Sequence, residues 1–227
     1  MNTNTEAICN ILNNVKGAIF DLDGTLIDSM GMWDDIDREY LKKKNLPFPL
    51  NLKTEIEHLN FEETADYFKT KFNIEDSLDV IEKDWYDMAY YKYSRNIMVK
   101  PYVKNFLELL KLKNIKIALA TSNYREISEI ALKKNNIYDL FDIITVTQDV
   151  SRGKDFPDLY LLASKKINVI PEKCVVFEDS LPAIKSAKSA NMSVIAIKDP
   201  YCPHPFDELL TYADAGIVSF HQLIDKL

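Results

Sequence analysis

"IFDLDGTLID", residues 19–28, joins an apolar run to a Gly-Thr turn flanked by three acids. With the residues before it, "VKGAIF" (Val15–Phe20), it predicts a buried strand that delivers Asp21 and Asp23 to one place, because residues i and i+2 of an extended chain share a face. Two carboxylates set so close repel each other, and a cation beside them removes that cost. Hard, oxygen-seeking Mg²⁺ suits the role better than a softer metal.

Outward from this stretch the chain has two textures. From Ile115 onward, short β-branched runs alternate with amphipathic ones. The runs are "IKIALA" (115–120), "DIITV" (142–146), "CVVFE" (174–178) and "SVIAI" (193–197), separated by Tyr124–Lys134, Pro157–Lys166 and Ser180–Ala190. That alternation predicts βαβ units and an α/β fold, a parallel sheet with helices on both faces. Pro101 and Pro182 fall where a first helical turn accepts proline, and Asn191 where a left-handed cap is wanted. About ninety residues separate the first strand from the second. Within them Trp33, Ile36 and Tyr40, then Phe61, Ala65, Phe68 and Phe72, then Leu78, Ile81, Trp85, Met88 and Tyr91 recur at helical spacing. The expectation is a helical domain over residues 30–94 inserted into a core of 1–29 and 95–227, its aromatic stripes serving as packing.

The 227 residues carry a formal charge of −7, and residues 30–94 hold fifteen acids against nine Lys and Arg. Nucleic acid and membrane surfaces, which want clustered cations, are therefore not expected partners. The longest apolar runs fall short of a membrane span, and no leader pattern opens the chain, so a cytoplasmic protein is expected, as a monomer. Cys9, Cys174 and Cys202 lie too far apart to suggest paired disulfides, and three scattered histidines suggest no zinc site.

Other polar groups recur at strand ends. Thr121, Ser122 and Asn123 follow "IKIALA", Lys154 lies in a loop before a helical run, and Glu178 and Asp179 close "CVVFED". Any one has an ordinary explanation as a cap or turn. Their recurrence at four successive strand ends predicts one shared site, since parallel sheets bind ligands beyond the carboxyl ends of their strands.

The ordered set "DLDGTLIDS", "ATSN", a lysine before "PDLY", and "VVFEDS" resembles the haloacid-dehalogenase-like superfamily, in particular its β-phosphoglucomutase and phosphoglycolate-phosphatase-like branch. The resemblance implies a Rossmann-like core, a mobile all-helical cap and Mg²⁺-dependent phosphoryl transfer through an aspartyl phosphate. It implies that Asp21 is the nucleophile and Asp23 the general acid and base, with repulsion helping to keep one protonated. Mg²⁺ would be held by Asp21, the Asp23 carbonyl and Asp179, with Glu178 nearby. Thr121 and Lys154 would bind the phosphoryl oxygens, with Ser122 and Asn123 beside them. This chain departs from the family pattern where Asp155 and Phe156 follow Lys154, leaving a less rigid loop and an acid able to compete for the ammonium, and where Ala183 replaces a common glycine. In the cap, Trp33 stands where related mutases carry histidine, and "EHLNF" (57–61) offers no Lys or Arg to steady a second phosphate. A phosphatase acting on a small phosphorylated metabolite is therefore favoured over a hexose-phosphate mutase or an inactive binding protein, with Trp33 and His58 lining its pocket.

Overall fold

The computed structural model describes residues 3–56, 59 and 61–227. Its strands are Gly17–Phe20 (β1), Lys116–Thr121 (β2), Ile143–Val146 (β3), Cys174–Glu178 (β4), Ser193–Ile197 (β5) and Ala215–Ile217 (β6). All pair in parallel, in the order β3-β2-β1-β4-β5-β6. The order reverses at β1, so β1 and β4 flank the crevice where such sheets take their ligands. Five strands match the expected runs. The short edge strand β6 has no counterpart in the sequence reading.

The helices are Thr3–Asn14 (α1), Met30–Lys43 (α2), Leu52–Ile56 (α3), Phe61–Phe72 (α4), Leu78–Tyr93 (α5), Val103–Leu112 (α6), Arg125–Lys134 (α7), Asp158–Lys166 (α8), Leu181–Ser189 (α9), Phe206–Leu209 (α10) and His221–Ile224 (α11). Alternation along the buried strands sorts the core into two faces. Ala18, Phe20, Leu119 and Phe177 meet α1, α6, α7 and α11, while Ile19, Ala118, Val176 and Val194 meet α8 and α9. On the first face the Phe20 and Phe177 rings stack 4.5 Å apart across neighbouring strands. Among the described residues no helix is long and apolar enough to cross a membrane.

Helix ends follow one rule. Asn45, Asn73, Asn114, Asn136, Asn168 and Asn191 all have positive φ just after α2, α4, α6, α7, α8 and α9. The next residue is apolar each time (Leu46, Ile74, Ile115, Ile137, Val169, Met192), and its N–H returns to a carbonyl in the last helical turn at 2.9–3.3 Å. This is the Schellman arrangement, with asparagine in the place glycine usually takes.

Helices α2 to α5 form the cap. Tyr40, Phe68 and Trp85 are its buried aromatic centre, with Phe68 and Trp85 edge to face at 4.7 Å. Tyr91 departs from the expected stripe and is 55% exposed. The chain enters and leaves the cap side by side. The Asp28 N–H bonds the Met98 carbonyl at 3.0 Å, and the Lys100 N–H bonds that of Leu26 at 2.8 Å.

Candidate active site

Asp21 directly follows β1, and its N–H extends the ladder to the Phe177 carbonyl at 3.1 Å. The chain then doubles back, with the N–H groups of Leu26 and Ile27 both reaching the Leu22 carbonyl. Gly24 sits in this turn at φ +82°, and a Cβ there would come within 2.8 Å of the Asp179 Cγ. Glycine is required for both reasons, conformation and close approach. Thr25 Oγ1 donates to Asp179 Oδ1 at 3.0 Å. The Lys100 ammonium braces the loop, donating to the Gly24 carbonyl and, at 2.8 Å, to Asp199.

Asp21, Glu178 and Asp179 are buried together at the ends of β1 and β4, with one carboxylate oxygen from each within 4.8 Å of the others. Lys154, buried in the loop before α8, gives its ammonium to Asp21 and, at 2.7 Å, to Glu178. The competition expected from Asp155 is thus met by two stronger partners. Glu178 is heavily engaged. The Tyr160 hydroxyl donates to Oε2 at 2.8 Å, and the N–H groups of Asp179 and Ser180 donate to Oε1 at 3.1 Å. It holds Lys154 and turns its own chain, so its oxygens are more fully engaged within the protein than those of Asp21 or Asp179.

Three buried carboxyls stand around one ammonium that reaches only Asp21 and Glu178, and the electrostatics record the surplus of negative charge. Burial, then Glu178, pushes the Asp21 carboxyl up to about 7 against the pull of Lys154. Burial also drives Asp179 well above the usual range, helped by Glu178 and Asp21. Burial alone would lower Lys154, yet Asp21 and Glu178 raise it above its ordinary value. An all-oxygen, anionic donor set of this kind fits a hard divalent cation such as Mg²⁺.

Asp23, two residues on, turns away from this cluster. Its Oδ1 accepts from Ser29 Oγ at 2.6 Å, from the Tyr93 hydroxyl and, weakly, from Trp33 Nε1 at 3.4 Å; its Oδ2 accepts from Asn123 Nδ2 at 3.0 Å. The expected tension between Asp21 and Asp23 is therefore secondary, since burial and Glu178 outweigh Asp23 in raising Asp21. Tyr93 went unnoticed in the sequence. It is fully buried at the last position of α5, and its hydroxyl also accepts from Trp33 Nε1 at 2.8 Å and Asn123 Nδ2 at 3.0 Å. Burial, then Asp23, raises this phenol well above its usual range, so it stays a donor. Only its i+4 spacing from Ala89 marked it, and that reads as packing.

Thr121 ends β2 and is buried, its Oγ1 accepting the Asn123 N–H at 3.1 Å. Thr121, Ser122, Asn123 and Lys154 line a cavity of about 220 Å³ together with Asp21, Asp23 and Asp179. Trp33 and Phe61, edge to face at 5.7 Å, are among the cap residues that line it. His58 lies outside the described residues.

The chain belongs to the haloacid dehalogenase-like hydrolase family, whose model matches residues 18–197. It is 32% identical over 181 residues to the phosphorylated carbohydrates phosphatase of Thermotoga maritima, covering 80% of this chain and 84% of that protein. It is 25% identical to hexitol phosphatase B of Escherichia coli over 93% of this chain and 96% of the relative. The fold matches the crystal structure of CbbY from Rhodobacter sphaeroides in complex with phosphate, with a TM-score of 0.80 at 21% identity over 92% and 96% of the two chains.

Proposed function

We propose that this chain is a Mg²⁺-dependent phosphatase that hydrolyses a small sugar or polyol monophosphate through an aspartyl phosphate on Asp21. The single observation that carries the reading is Asp21 at the sheet's switch point, with Lys154 and Asp179 on one side and Asp23 two residues on, facing the cap. The names of the relatives, a phosphorylated carbohydrates phosphatase and a hexitol phosphatase, support the substrate class.

An Asp21 oxygen attacks phosphorus as the ester oxygen departs, and Asp23 supplies the proton that oxygen needs. Water then attacks phosphorus, Asp23 takes its proton, and phosphate leaves with Asp21 restored. Lys154 and Thr121 hold the phosphoryl oxygens, and Glu178 orients Lys154. Mg²⁺ bound by Asp21, Asp179 and the Asp23 carbonyl would supply charge neutralisation for the transferring group. Residues 30–94 move as the cap over 1–29 and 95–227, and closure excludes bulk water. Mutase chemistry is disfavoured because the described cap lining offers one cation, Lys53, beside two acids, Asp34 and Asp37, and is otherwise apolar or aromatic apart from Thr64.

The test is release of phosphate from p-nitrophenyl phosphate by the whole chain with Mg²⁺. The expected result is turnover that EDTA abolishes and excess Mg²⁺ restores. Turnover indifferent to EDTA would overturn the metal, and a hexose isomer formed without free phosphate would favour the mutase.

A further inference from the structure

One charged side chain facing the cavity has no counterpart in the chemistry above. Lys53 lies on α3, whose neighbouring Leu52 is fully buried and anchors the helix in the cap. The Lys53 ammonium lines the cavity, is itself shielded from solvent, and has no hydrogen-bond partner among the described residues. A buried ammonium with its donors unmet is costly, which points to acceptors brought in from elsewhere. Asp34 and Asp37, one turn apart on α2, line the same cavity. Arg38 occupies one Asp34 oxygen at 2.8 Å. Burial pushes Asp37 up to about 7, Asp34 adding to the effect and Lys53 opposing it. Burial lowers Lys53, while Asp199, Asp34 and Asp179 hold it up.

The position of this group is fixed from the core side. The Lys53 ammonium stands 5.2 Å from the Tyr201 ring centroid. Gly31 allows α2 to lie so close to Tyr201 that a Cβ would come within 2.7 Å of its ring. The polar trio lines the cavity together with the apolar Phe48 and Ile56.

We propose that Lys53, Asp34 and Asp37 form a recognition subsite for the hydroxyl groups of an uncharged sugar or polyol, the part of the substrate that leaves with the ester oxygen. The proposal rests on the phosphatase reading and deepens it. An ammonium donor and two carboxyl acceptors around one small space match the alternating donors and acceptors of neighbouring hydroxyls. A second anionic group fits badly, since the described lining holds seven carboxyls against two ammonium groups, Lys53 and Lys154. At about 220 Å³ the cavity is smaller than the roughly 300–1,000 Å³ of drug-sized ligand sites, which suits a single small ester.

The experiment measures kcat/KM of the whole chain with Mg²⁺ on p-nitrophenyl phosphate, sorbitol 6-phosphate, glucose 6-phosphate, phosphoglycolate and fructose 1,6-bisphosphate. The unmodified chain is expected to favour the two hydroxylated monophosphates over the two substrates with a second charge by about tenfold or more. Lys53→Met keeps the apolar stem, and it should lower the ratio of sorbitol 6-phosphate to p-nitrophenyl phosphate by about tenfold, chiefly through KM. Asp37→Asn, which keeps the side chain's shape, should lower the same ratio in the same direction. Ratios unmoved in both variants, or a wild-type preference for phosphoglycolate or the bisphosphate, would overturn the subsite while leaving the phosphatase intact. No turnover of p-nitrophenyl phosphate by the unmodified chain would sink the phosphatase reading and the subsite with it.

Discussion

At the floor of the cavity each of the three clustered carboxyls has a hydrogen-bond partner: Lys154 holds Asp21 and Glu178, Thr25 holds Asp179, and two backbone amides close on Glu178. At the roof, Lys53 has no hydrogen-bond partner among the described residues, and the nearby Trp85 indole N–H is likewise unmet. The floor is built from strand ends, whose positions the sheet's hydrogen bonds determine. The roof is built from helix faces, where Arg38 holds Asp34 and Tyr93 holds Trp33 but Lys53 and Trp85 keep unmet donors. The floor is thus organised for one chemistry, and the roof for one choice among molecules that undergo it.

The largest test of this contrast falls on the floor. Asp21→Asn should cut turnover of any phosphate ester by at least about 10³-fold, for good and poor leaving groups alike. A variant retaining a tenth of the activity would mean that the reacting carboxyl lies elsewhere. Next is Gly24→Ala, which forces a Cβ toward Asp179 at positive φ and should cost about 1–3 kcal/mol in urea unfolding while weakening Mg²⁺ binding. Unchanged unfolding would show that the turn yields more easily than its geometry implies.

Tyr93→Phe tests the seam between floor and roof. Removing the donor to Asp23 should lower kcat about tenfold for an alkyl phosphate, with KM little changed. The loss should be smaller for p-nitrophenyl phosphate, whose leaving group needs no proton. Equal losses on both esters would reduce Tyr93 to a packing role.

The smallest effect concerns pH. Asp21 and Asp37 are both raised to about 7 from 3.8, so the metal-free folded chain keeps protons that the unfolded chain releases above about pH 4. Stability held at low pH is then lost as pH rises toward 7. The Tm of the metal-free chain should therefore fall between pH 5 and 7.5. Mg²⁺ should restore more of it at the upper end, and a Tm that climbs over this window contradicts the scheme.

The floor was legible in the sequence because strand and site are written in the same residues. "IFDLD" and "VVFED" state both the burial of the strand and the acids at its end. Lys154 was legible by its place before a helix, although its partners were not. The roof was not legible in this way. Lys53 is one lysine in a five-residue helix, and its meaning depends on where that helix lands. Tyr93 closes an amphipathic run and looks like any packing aromatic until the cap folds over Asp23. The edge strand β6 is only three residues long and carries too little alternation to stand out. The six asparagine caps each carried a readable sign, an apolar residue directly after the asparagine, of which only Asn191 was picked out.

At that same edge, the Asn4 side chain of α1 donates to the Gly216 carbonyl at 2.8 Å and accepts the Gly216 N–H at 2.9 Å. A side-chain amide thereby does what a neighbouring peptide would do in a seventh strand. It occupies the one residue of β6 through which another chain would most easily begin to pair. Loss of this plug, as in Asn4→Ala, would leave the border of the sheet open to self-association, visible as a concentration-dependent dimer on size-exclusion chromatography.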